Sequence, residues 1–287
     1  MRIAHLIVTY TDPVQTERMI RRMQHPDFDF YIHLDAKFPI SSHEYLTQMP
    51  NVFLIKDRID VHWAGFSTIQ AILNSGKEIL DSGKKYDFVS LMSGQDYPIQ
   101  SPEQILAFYQ AREGKLLLKY KAFEGEWEEG MLRVNRYHMS DFKFRGQYAI
   151  ERLLNKIFPK RRMPEGIKFY GSSMFWAISM EALRYVLETI EYNQTMKRFF
   201  KFSWAADEFL FQTVILNSQF ADQVVNENCH YYKHPPMTPN PKTLSIEDLD
   251  DILASDRIFA RKFKMSTDSE LLDKIDVAVD QRSTHTN

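Results

Sequence analysis

The stretch IAHLIVTYTDPVQTERMIRRMQHPDFDFYIHLD, residues 3–35, decides the fold class of this 287-residue chain. Its first apolar run, Ile3–Tyr10, is typical of a buried strand. The residues Asp12-Pro13-Val14-Gln15 have the spacing of a capping box with proline at the first helical position, and they predict a helix to about Met23. A second strand follows at Phe28–Asp35. A strand, a helix and a strand in this order predict parallel strand pairing.

The same alternation continues through the first half of the chain. It predicts strands at Asn51–Ile55, Asp87–Gly94 and Lys115–Tyr120, with helices at 66–82 and, after the capping box Ser101–Gln104, to about Arg112. We therefore expect an α/β fold with a mostly parallel sheet and helices on both faces. Residues 123–162 are charged, aromatic and irregular, which predicts surface loops with one helix near Tyr148–Phe158. No linker composition is visible, so residues 1–287 are interpreted as one domain with an elaborated second half.

The composition excludes several classes of function. The 36 basic residues balance 38 acidic ones, so no nucleic-acid surface is expected, and the run Lys160–Arg162 is interpreted as a solvated loop. The single cysteine, Cys229, excludes an internal disulfide framework and is predicted to be a small buried hydrophobic residue. The first apolar run is too short to span a membrane and lacks a signal-peptide pattern. A cytoplasmic chain is expected, and peripheral membrane contact is left open.

Two acidic residues follow strands of the predicted sheet. Asp35 ends the second strand, and Asp96 follows the strand that ends at Gly94. Strand alternation places Asp35 on one face of the sheet with Tyr31 and His33. In open α/β sheets ligands bind beyond the carboxyl ends of the strands. Either acid alone is equally typical of a turn or a cap, but two of them on one rim predict a site.

The stretch WAADEFLFQT, residues 204–213, leaves two interpretations open. Asp207 and Glu208 are typical of the acidic first turn of a helix, whose following apolar residues would face the core. Alternatively, one of the two removes a proton from a substrate. On this stretch alone the first interpretation is favoured.

Motifs for other chemistries are missing. The sequence contains no dinucleotide fingerprint, no P-loop, no nucleophile elbow and no histidine spacing for a metal. The acidic run Asp248–Asp251 lies in a helical pattern opened by Ser245 and is predicted to form a solvated helix face.

The ordered set of stretches resembles the core-2/I-branching enzyme family of glycosyltransferases, which includes β-1,6-N-acetylglucosaminyltransferases and peptide O-xylosyltransferases. The resemblance rests on AHLIVTYTDPVQTERMIRRM, FYIHLDAK, DRIDVHWAGFSTIQAILN, SLMSGQDYPIQS, FYGSSMFWAIS, AADEFLFQTVILNS and NPKTLSIEDLDDILASDRIFARKF. It implies a glycosyltransferase-A fold, a UDP-sugar donor with a GlcNAc- or xylose-type sugar, a glycan or other hydroxyl acceptor, and inversion at the anomeric carbon. It also implies catalysis without a metal cofactor.

The resemblance implies roles for particular residues. Asp35 matches the acid that binds uracil, Asp96 an acid in the donor-sugar region, and Glu208 the catalytic base. The remaining implied contacts are Lys242 and Lys262 on the diphosphate and Trp176 and Tyr232 on the acceptor. This chain lacks the amino-terminal anchor and the many cysteines of the animal members, so a bacterial-type cytoplasmic enzyme is expected rather than Golgi residence.

Elementary chemistry favours the same roles. A UDP leaving group gains negative charge as the glycosidic bond breaks, and without a metal this charge needs fixed cations such as Lys242 and Lys262. An acceptor hydroxyl needs a base within hydrogen-bond reach. We therefore interpret Glu208 as the base and Asp207 as its neighbour or a helix cap. The alternatives are a nucleotide- or carbohydrate-binding protein without activity, and a sugar-nucleotide hydrolase.

Overall fold

The computed structural model describes residues 1–10, 12–235, 238 and 240–284, with the backbone alone at 283 and 284. Its strands are β1 (Ile3–Thr9), β2 (Phe28–Leu34), β3 (Val52–Leu54), β4 (Phe88–Ser93), β5 (Asp96–Pro98), β6 (Leu116–Ala122), β7 (Tyr170–Ile178), β8 (Val224–Val225), β9 (His230–Tyr231) and β10 (Phe259–Arg261). Its α-helices are α1 (Pro13–Arg22), α2 (Phe66–Asp81), α3 (Pro102–Gln110), α4 (Glu128–Val134), α5 (Gln147–Ile157), α6 (Met180–Tyr192), α7 (Gln194–Lys201), α8 (Leu210–Leu216), α9 (Leu249–Leu253) and α10 (Ser269–Thr284).

Seven strands form one sheet in the order β3-β2-β1-β4-β7-β6-β8. The pairs β2–β3, β1–β2, β1–β4 and β6–β8 are parallel, whereas β7 is antiparallel to both β4 and β6. The α/β fold with a mostly parallel sheet is confirmed. Because β7 runs against β4, its first residues lie at the same rim as the carboxyl ends of β1, β2 and β4.

Two apolar cores cover the two faces of this sheet. On β1, Ala4 and Leu6 belong to one core, and Ile3 and Ile7 belong to the other. This alternation is the two-residue period of a strand that is buried on both faces. The first core contains residues of α2, α6 and α8, and the second contains residues of α1, α3 and α10.

A second, three-stranded sheet lies at this rim, and two of its strands come from the late part of the chain. Its order is β5-β10-β9, with β10 antiparallel to β5 and parallel to β9. Because β5 follows β4 after two residues, this small sheet carries the region around Lys262 to the carboxyl ends of the parallel strands.

The helix caps agree only partly with the sequence pattern. At α3 both hydrogen bonds of the predicted capping box are present between Ser101 and Gln104. At α1 the Asp12 carboxylate accepts from the N–H of Val14, but Gln15 does not complete a box. The buried Gln15 side chain instead donates to the carbonyls of Gly94 and Phe263 and accepts from the N–H of Met265. It thereby joins α1 to the loop after β4 and to the segment after β10.

Three further expectations are corrected by the structure. Asp248 was predicted to lie on a solvated face, but it is buried and accepts hydrogen bonds from Lys233 and Lys242. Arg161 was predicted to be solvated, but it donates to the Phe202 carbonyl at 2.7 Å, and burial lowers its pKa to about 10. The region 123–162 contains α4 as well as the predicted helix α5.

Other expectations are confirmed. Cys229 is buried, and so are the apolar residues after Glu208 that were expected to face the core, among them Phe211, Val214 and Ile215. Among the described residues no helix combines the length and apolar character that crossing a membrane requires.

Candidate active site

Asp35 lies at the carboxyl rim, directly after β2. Its N–H donates to the carbonyl of Thr9, the last residue of β1, at 2.9 Å. Its carboxylate is nearly buried, accepts from the Lys37 N–H at 3.0 Å and lies 2.9 Å from the Lys37 ammonium. A carboxylate has about four acceptor positions, so Asp35 retains acceptor capacity beyond its pairing with Lys37.

His33, two residues before Asp35, binds the neighbouring backbone segment at Ile59. Its Nε2 accepts from the N–H of Ile59 at 3.0 Å, and the Ile59 carbonyl accepts from the N–H of Ala36. Burial lowers the pKa of His33 to about 4, so the imidazole is neutral near pH 7 and remains an acceptor. The segment that leads to Trp63 is therefore fixed beside Asp35 by one buried ring.

Two clefts adjoin at Trp63 on this rim. The larger, about 730 Å³, is lined among others by Lys37, Trp63, Arg133 and Trp204. The smaller, about 560 Å³, is lined by Tyr10, Trp63, Gln95, Asn240, Pro241, Thr243 and Lys262. Because Trp63 lines both, a ligand with two parts can occupy the clefts on either side of one indole ring.

Two alanine residues with left-handed backbone follow the tryptophans of the larger cleft. Ala64 and Ala205 have φ angles of 59° and 50°, which lie in the left-handed region that residues with a Cβ rarely adopt. The Ala205 N–H donates to the Ala64 carbonyl at 2.9 Å. The preceding residues, Trp63 and Trp204, meet edge to face with centroids 5.4 Å apart. Strained backbone of this kind is concentrated at functional sites.

Glu208 ends a short 3-10 turn, Ala206–Glu208, just before α8. A Cβ on Gly171 of β7 would lie 2.3 Å from the Cβ of Phe209 and 2.7 Å from the Glu208 carbonyl oxygen. Only glycine permits this approach. Since the start of β7 lies at the carboxyl rim, Gly171 places Glu208 on the same rim as Asp35.

Arg133 holds the Glu208 side chain. Its guanidinium donates to Glu208 Oε2 and lies 4.6 Å from the Trp127 ring and 4.7 Å from the Trp204 ring. A planar cation between two indoles loses little further freedom when it binds a carboxylate. Arg133 thus orients Glu208 beside the larger cleft, while Oε1 has no protein donor among the described residues.

Asp207 differs from Glu208 in its surroundings. Its Oδ1 is buried and has no hydrogen-bond partner among the residues that the structure describes. Burial, together with the neighbouring Glu208 charge, raises the pKa of Asp207 to about 7. Asp207 therefore carries its proton at mildly acidic pH and cannot be the simple first-turn acid that a surface helix would use.

The two lysines have adjacent backbones but different side-chain positions. Leu244 N–H donates to the Lys262 carbonyl at 2.8 Å, which pairs the two segments. Lys262 lines the smaller cleft, and its Nζ has only Asn240 Oδ1, 3.4 Å away, as a hydrogen-bond acceptor among the described residues. Burial and the charge of Arg261 lower the pKa of Lys262.

Lys242 points away from the smaller cleft. Its Nζ pairs with Asp248 at 2.8 Å, whereas its neighbours Pro241 and Thr243 line the cleft. The structure therefore brings Lys262 to the cleft and leaves Lys242 in a separate ion-pair network with Asp248 and Lys233. In that network the lysines and the Ser245 N–H outweigh the effect of burial and lower the pKa of Asp248 to about 2.

Asp96 is fully buried, and its oxygens are bonded within the protein. They accept from the N–H and hydroxyl of Ser93, from Nε2 of His230 and from Nε of Arg261. Burial opposes ionisation, but His230 and Arg261 outweigh it and hold the pKa of Asp96 below its usual value. Asp96 thus fixes the two sheets to each other beneath the rim rather than facing a cleft.

The implied acceptor residues lie apart from the clefts. Trp176 is 2 % exposed and packs against Phe211 with ring centroids 4.6 Å apart, so its side chain has no surface to offer a ligand. Tyr232 is partly exposed in the segment after β9 but lines neither cleft. Trp63, which is 66 % exposed, and Trp204 do line the larger cleft.

Several cleft residues were not predicted. Lys37 and Trp63 lie in stretches that carried the family resemblance, and Lys37 follows Asp35 by two residues. Arg133 had no signal, because it lies in the irregular region and acts only through folding against Trp204. Within the described ranges no three His, Cys, Asp or Glu side chains form a group that could hold a metal ion.

Comparisons with known proteins identify the relatives of the chain. The family model "Core-2/I-Branching enzyme" matches residues 3–253. Xylosyltransferase 1 of Rattus norvegicus is 25 % identical over 304 residues, which cover 96 % of this chain and 35 % of that protein. Xylosyltransferase oxt of Drosophila melanogaster is 24 % identical over 273 residues, covering 87 % of this chain and 30 % of that protein.

Among solved structures, mouse xyloside xylosyltransferase 1 in its apo form aligns with a TM-score of 0.44 and 9 % identity. The alignment covers 90 % of this chain and 96 % of that one. The chain spans about a third of the length of the two xylosyltransferases that it matches in sequence.

Proposed function

Because the chain belongs to the core-2/I-branching enzyme family of glycosyltransferases, we propose that it transfers a sugar of the GlcNAc or xylose type from a UDP-sugar to a hydroxyl of a glycan or other acceptor. The transfer inverts the anomeric carbon and uses no metal ion. The observation that carries the proposal is the pair of clefts that meet at Trp63: Lys262 lines the smaller one, and Asp35 and Glu208 are bound to Lys37 and Arg133, which line the larger one.

The uridine end of the donor belongs beside Asp35. A carboxylate accepts the imide N–H of uracil, and the hydrogen bond from the Asp35 N–H to the Thr9 carbonyl brings the Asp35 backbone close to Tyr10, which lines the smaller cleft. Lys37 neutralises Asp35 in the free protein. Uracil at this position would therefore use the remaining acceptor capacity of a carboxylate whose charge Lys37 already compensates.

The diphosphate belongs beside Lys262. This half-buried ammonium lines the smaller cleft and has no carboxylate partner among the described residues. A bound diphosphate supplies the missing counter-charge and restores the pKa that burial has lowered. When the bond to the sugar breaks, the same cation stabilises the charge that develops on the leaving phosphate.

The acceptor hydroxyl belongs beside Glu208. Arg133 binds one carboxylate oxygen and leaves the other to accept a proton. The larger cleft, with Trp63 and Trp204 in its wall, offers indole surfaces on which a sugar ring can pack. Attack from this side, opposite to the diphosphate in the smaller cleft, gives inversion in a single displacement.

Metal independence is supported by the chemistry of the side chains. A transferase that uses Mg²⁺ needs one or two carboxylates beside the substrate phosphates, and the described residues that line the smaller cleft around Lys262 include no Asp or Glu. Lys262 instead neutralises the charge that a metal ion would neutralise.

Calorimetry and a turnover assay test the proposal. UDP should bind in the presence of EDTA and stabilise the fold, by about 2.7 kcal/mol at 100 times its Kd. A panel of UDP-sugars is then incubated with glycan acceptors, and the anomer of the product is read by NMR. Glu208→Gln should keep UDP affinity and lose about 10²–10⁴-fold in transfer, the usual contribution of a positioned base.

The control is Glu188→Gln, which changes an exposed glutamate of α6 that lines neither cleft. UDP binding that disappears on chelation and returns with manganese would refute metal independence. Full UDP release without an acceptor would indicate a hydrolase. UDP binding with no turnover on any acceptor, and equal behaviour of both variants, would indicate a binding protein.

A further inference from the structure

Helix α5, Gln147–Ile157, packs on the protein with polar side chains. Gln147 donates to the Met139 carbonyl, and Glu151 accepts from the Met139 N–H at 2.9 Å. Asn155 accepts from the Tyr137 N–H and donates to the Tyr137 carbonyl, both at 2.8 Å. These residues recur at the helical spacing of four, so they define the face that α5 presents to the loop 137–139.

The other face of α5 and its flanks are apolar and exposed. Tyr148 is 73 % and Ile157 64 % exposed, and no residue of the helix is buried. The exposed large apolar residues from 144 to 158 are Phe144, Tyr148, Ile150, Leu153, Ile157 and Phe158. An ordinary surface helix buries its apolar face, so α5 has the reverse orientation, and this surface is expected to have an occupant.

The same segment carries a concentrated positive charge. Its exposed cations are Lys143, Arg145, Arg152, Lys156, Lys160 and Arg162. The acid within residues 143–162, Glu151, lies on the inward face and pairs with His138. The whole chain has a formal charge of −2, so the excess of cations is local to this surface.

We propose that α5 and its flanks, residues 143–162, dock the protein on an anionic lipid surface. Ile150, Leu153 and Ile157 fall at spacings of three and four and form one apolar stripe, and Arg152 and Lys156 form a basic stripe beside it. An apolar stripe next to Lys and Arg side chains is the arrangement of a helix that lies in the membrane interface. The apolar groups enter the acyl boundary while the cations bind the headgroups.

The location of α5 gives this docking a consequence for the site. Lys143, Gln147, Tyr148 and Glu151, at and just before the start of the helix, line the larger cleft. When α5 binds the membrane, the larger cleft therefore lies next to the lipid headgroups. The inference does not depend on the chemistry at Glu208, because binding to lipid is measured without turnover.

Vesicle flotation with the full chain tests the proposal. Vesicles of phosphatidylcholine alone are compared with vesicles that also contain phosphatidylglycerol, at low and at high salt. We expect binding to the anionic vesicles that weakens as salt shortens the Debye length from about 10 Å at 0.1 M to about 3 Å at 1 M. Arg152→Gln with Lys156→Gln should lower the partition coefficient about 30-fold, at about 1 kcal/mol per cation.

Leu153→Ser with Ile157→Ser should lower binding without changing its salt dependence. The matched control is Lys77→Gln with Lys115→Gln, two exposed lysines outside the segment, which should bind like the unaltered protein. Circular dichroism and the melting temperature establish that each variant is folded. Equal binding to neutral and anionic vesicles, or equal binding of all variants, overturns the proposal. So does a dimer in light scattering that Leu153→Ser with Ile157→Ser dissociates, because a second copy then covers the surface.

Discussion

Replacing Asp207 by asparagine should stabilise the protein at alkaline pH and flatten the dependence of its stability on pH. Burial and Glu208 raise the pKa of Asp207 from 3.8 to about 7. Between these two values the folded protein retains a proton that the unfolded chain has released. The free energy of unfolding therefore falls as pH rises through this window, and levels off above the folded pKa. Asparagine does not titrate, so the free energy of unfolding of the variant should not fall in this way.

The size of the effect follows from the shift. One pKa unit corresponds to about 1.36 kcal/mol, so a shift of about three units sets an upper limit of about 4 kcal/mol. Part of the Asp207 residue remains exposed to solvent, which reduces this value. We expect Asp207→Asn to exceed the unaltered protein by about 2–4 kcal/mol near pH 8 and to differ little from it near pH 4.

Urea denaturation across this pH range measures the difference. Asp81→Asn, which changes an exposed aspartate at the end of α2, is the control and should leave the profile unchanged. Glu208→Gln removes the neighbouring charge that contributes to the raised pKa, so the fall in stability should move to lower pH. Parallel profiles for Asp207→Asn and the unaltered protein would falsify the argument, because they would mean that Asp207 titrates alike in both states.

Three further predictions concern residues near the carboxyl ends of the parallel strands. Gly171→Ala should lower the free energy of unfolding by several kcal/mol and displace Glu208, because the new Cβ would lie 2.3 Å from the Cβ of Phe209. Thermal unfolding measures the first effect and the transfer rate measures the second. Near-normal values of both would show that β7 and the 3-10 turn can move apart without cost. Lys262→Ala should weaken UDP binding more than uridine binding in calorimetry, whereas an equal loss for both ligands would make Lys262 structural. Asp35→Asn should weaken uridine and UDP alike in a folded protein, and unchanged affinities would return Asp35 to the role of a turn residue that anchors Lys37.

Most of the fold was accessible from the sequence because strand and helix periods are local signals. The strands β1, β2, β3, β4 and β6 and the helices α1, α2, α3 and α5 were predicted within a few residues of their bounds, whereas the short strand β5 was not. The insertion of β7 between β4 and β6 was not predicted, since antiparallel pairing at a distance leaves no periodic trace. Gln15 shows a similar limit, because the pattern indicated a cap where the fold uses a buried bridge.

The candidate site was predictable where residues follow strands and not where it depends on contacts. Asp35 lies on the rim as expected and Lys262 lines a cleft, whereas Asp96 is buried beneath the rim, Lys242 pairs with Asp248 and Trp176 is buried. At Lys242 the two neighbours, Pro241 and Thr243, line the smaller cleft while the lysine itself pairs with Asp248, a difference of one residue that the sequence pattern does not show. Arg133 could not have been found, because its importance comes from two indoles and a carboxylate that are distant in sequence.

The position of β7 in the sheet also has a consequence for synthesis on the ribosome. The parallel strands β1, β2, β3 and β4 are complete by Ser93, yet β7, which pairs with β4, begins only at Tyr170. Because the ribosome adds about 5–20 residues per second, β4 lacks its partner β7 for several seconds. During this interval Val89 and Leu91 lie on an open edge that can pair with another nascent chain. Slower translation between residues 94 and 170 should therefore increase aggregation of the newly made protein, even though its finished fold is unaffected.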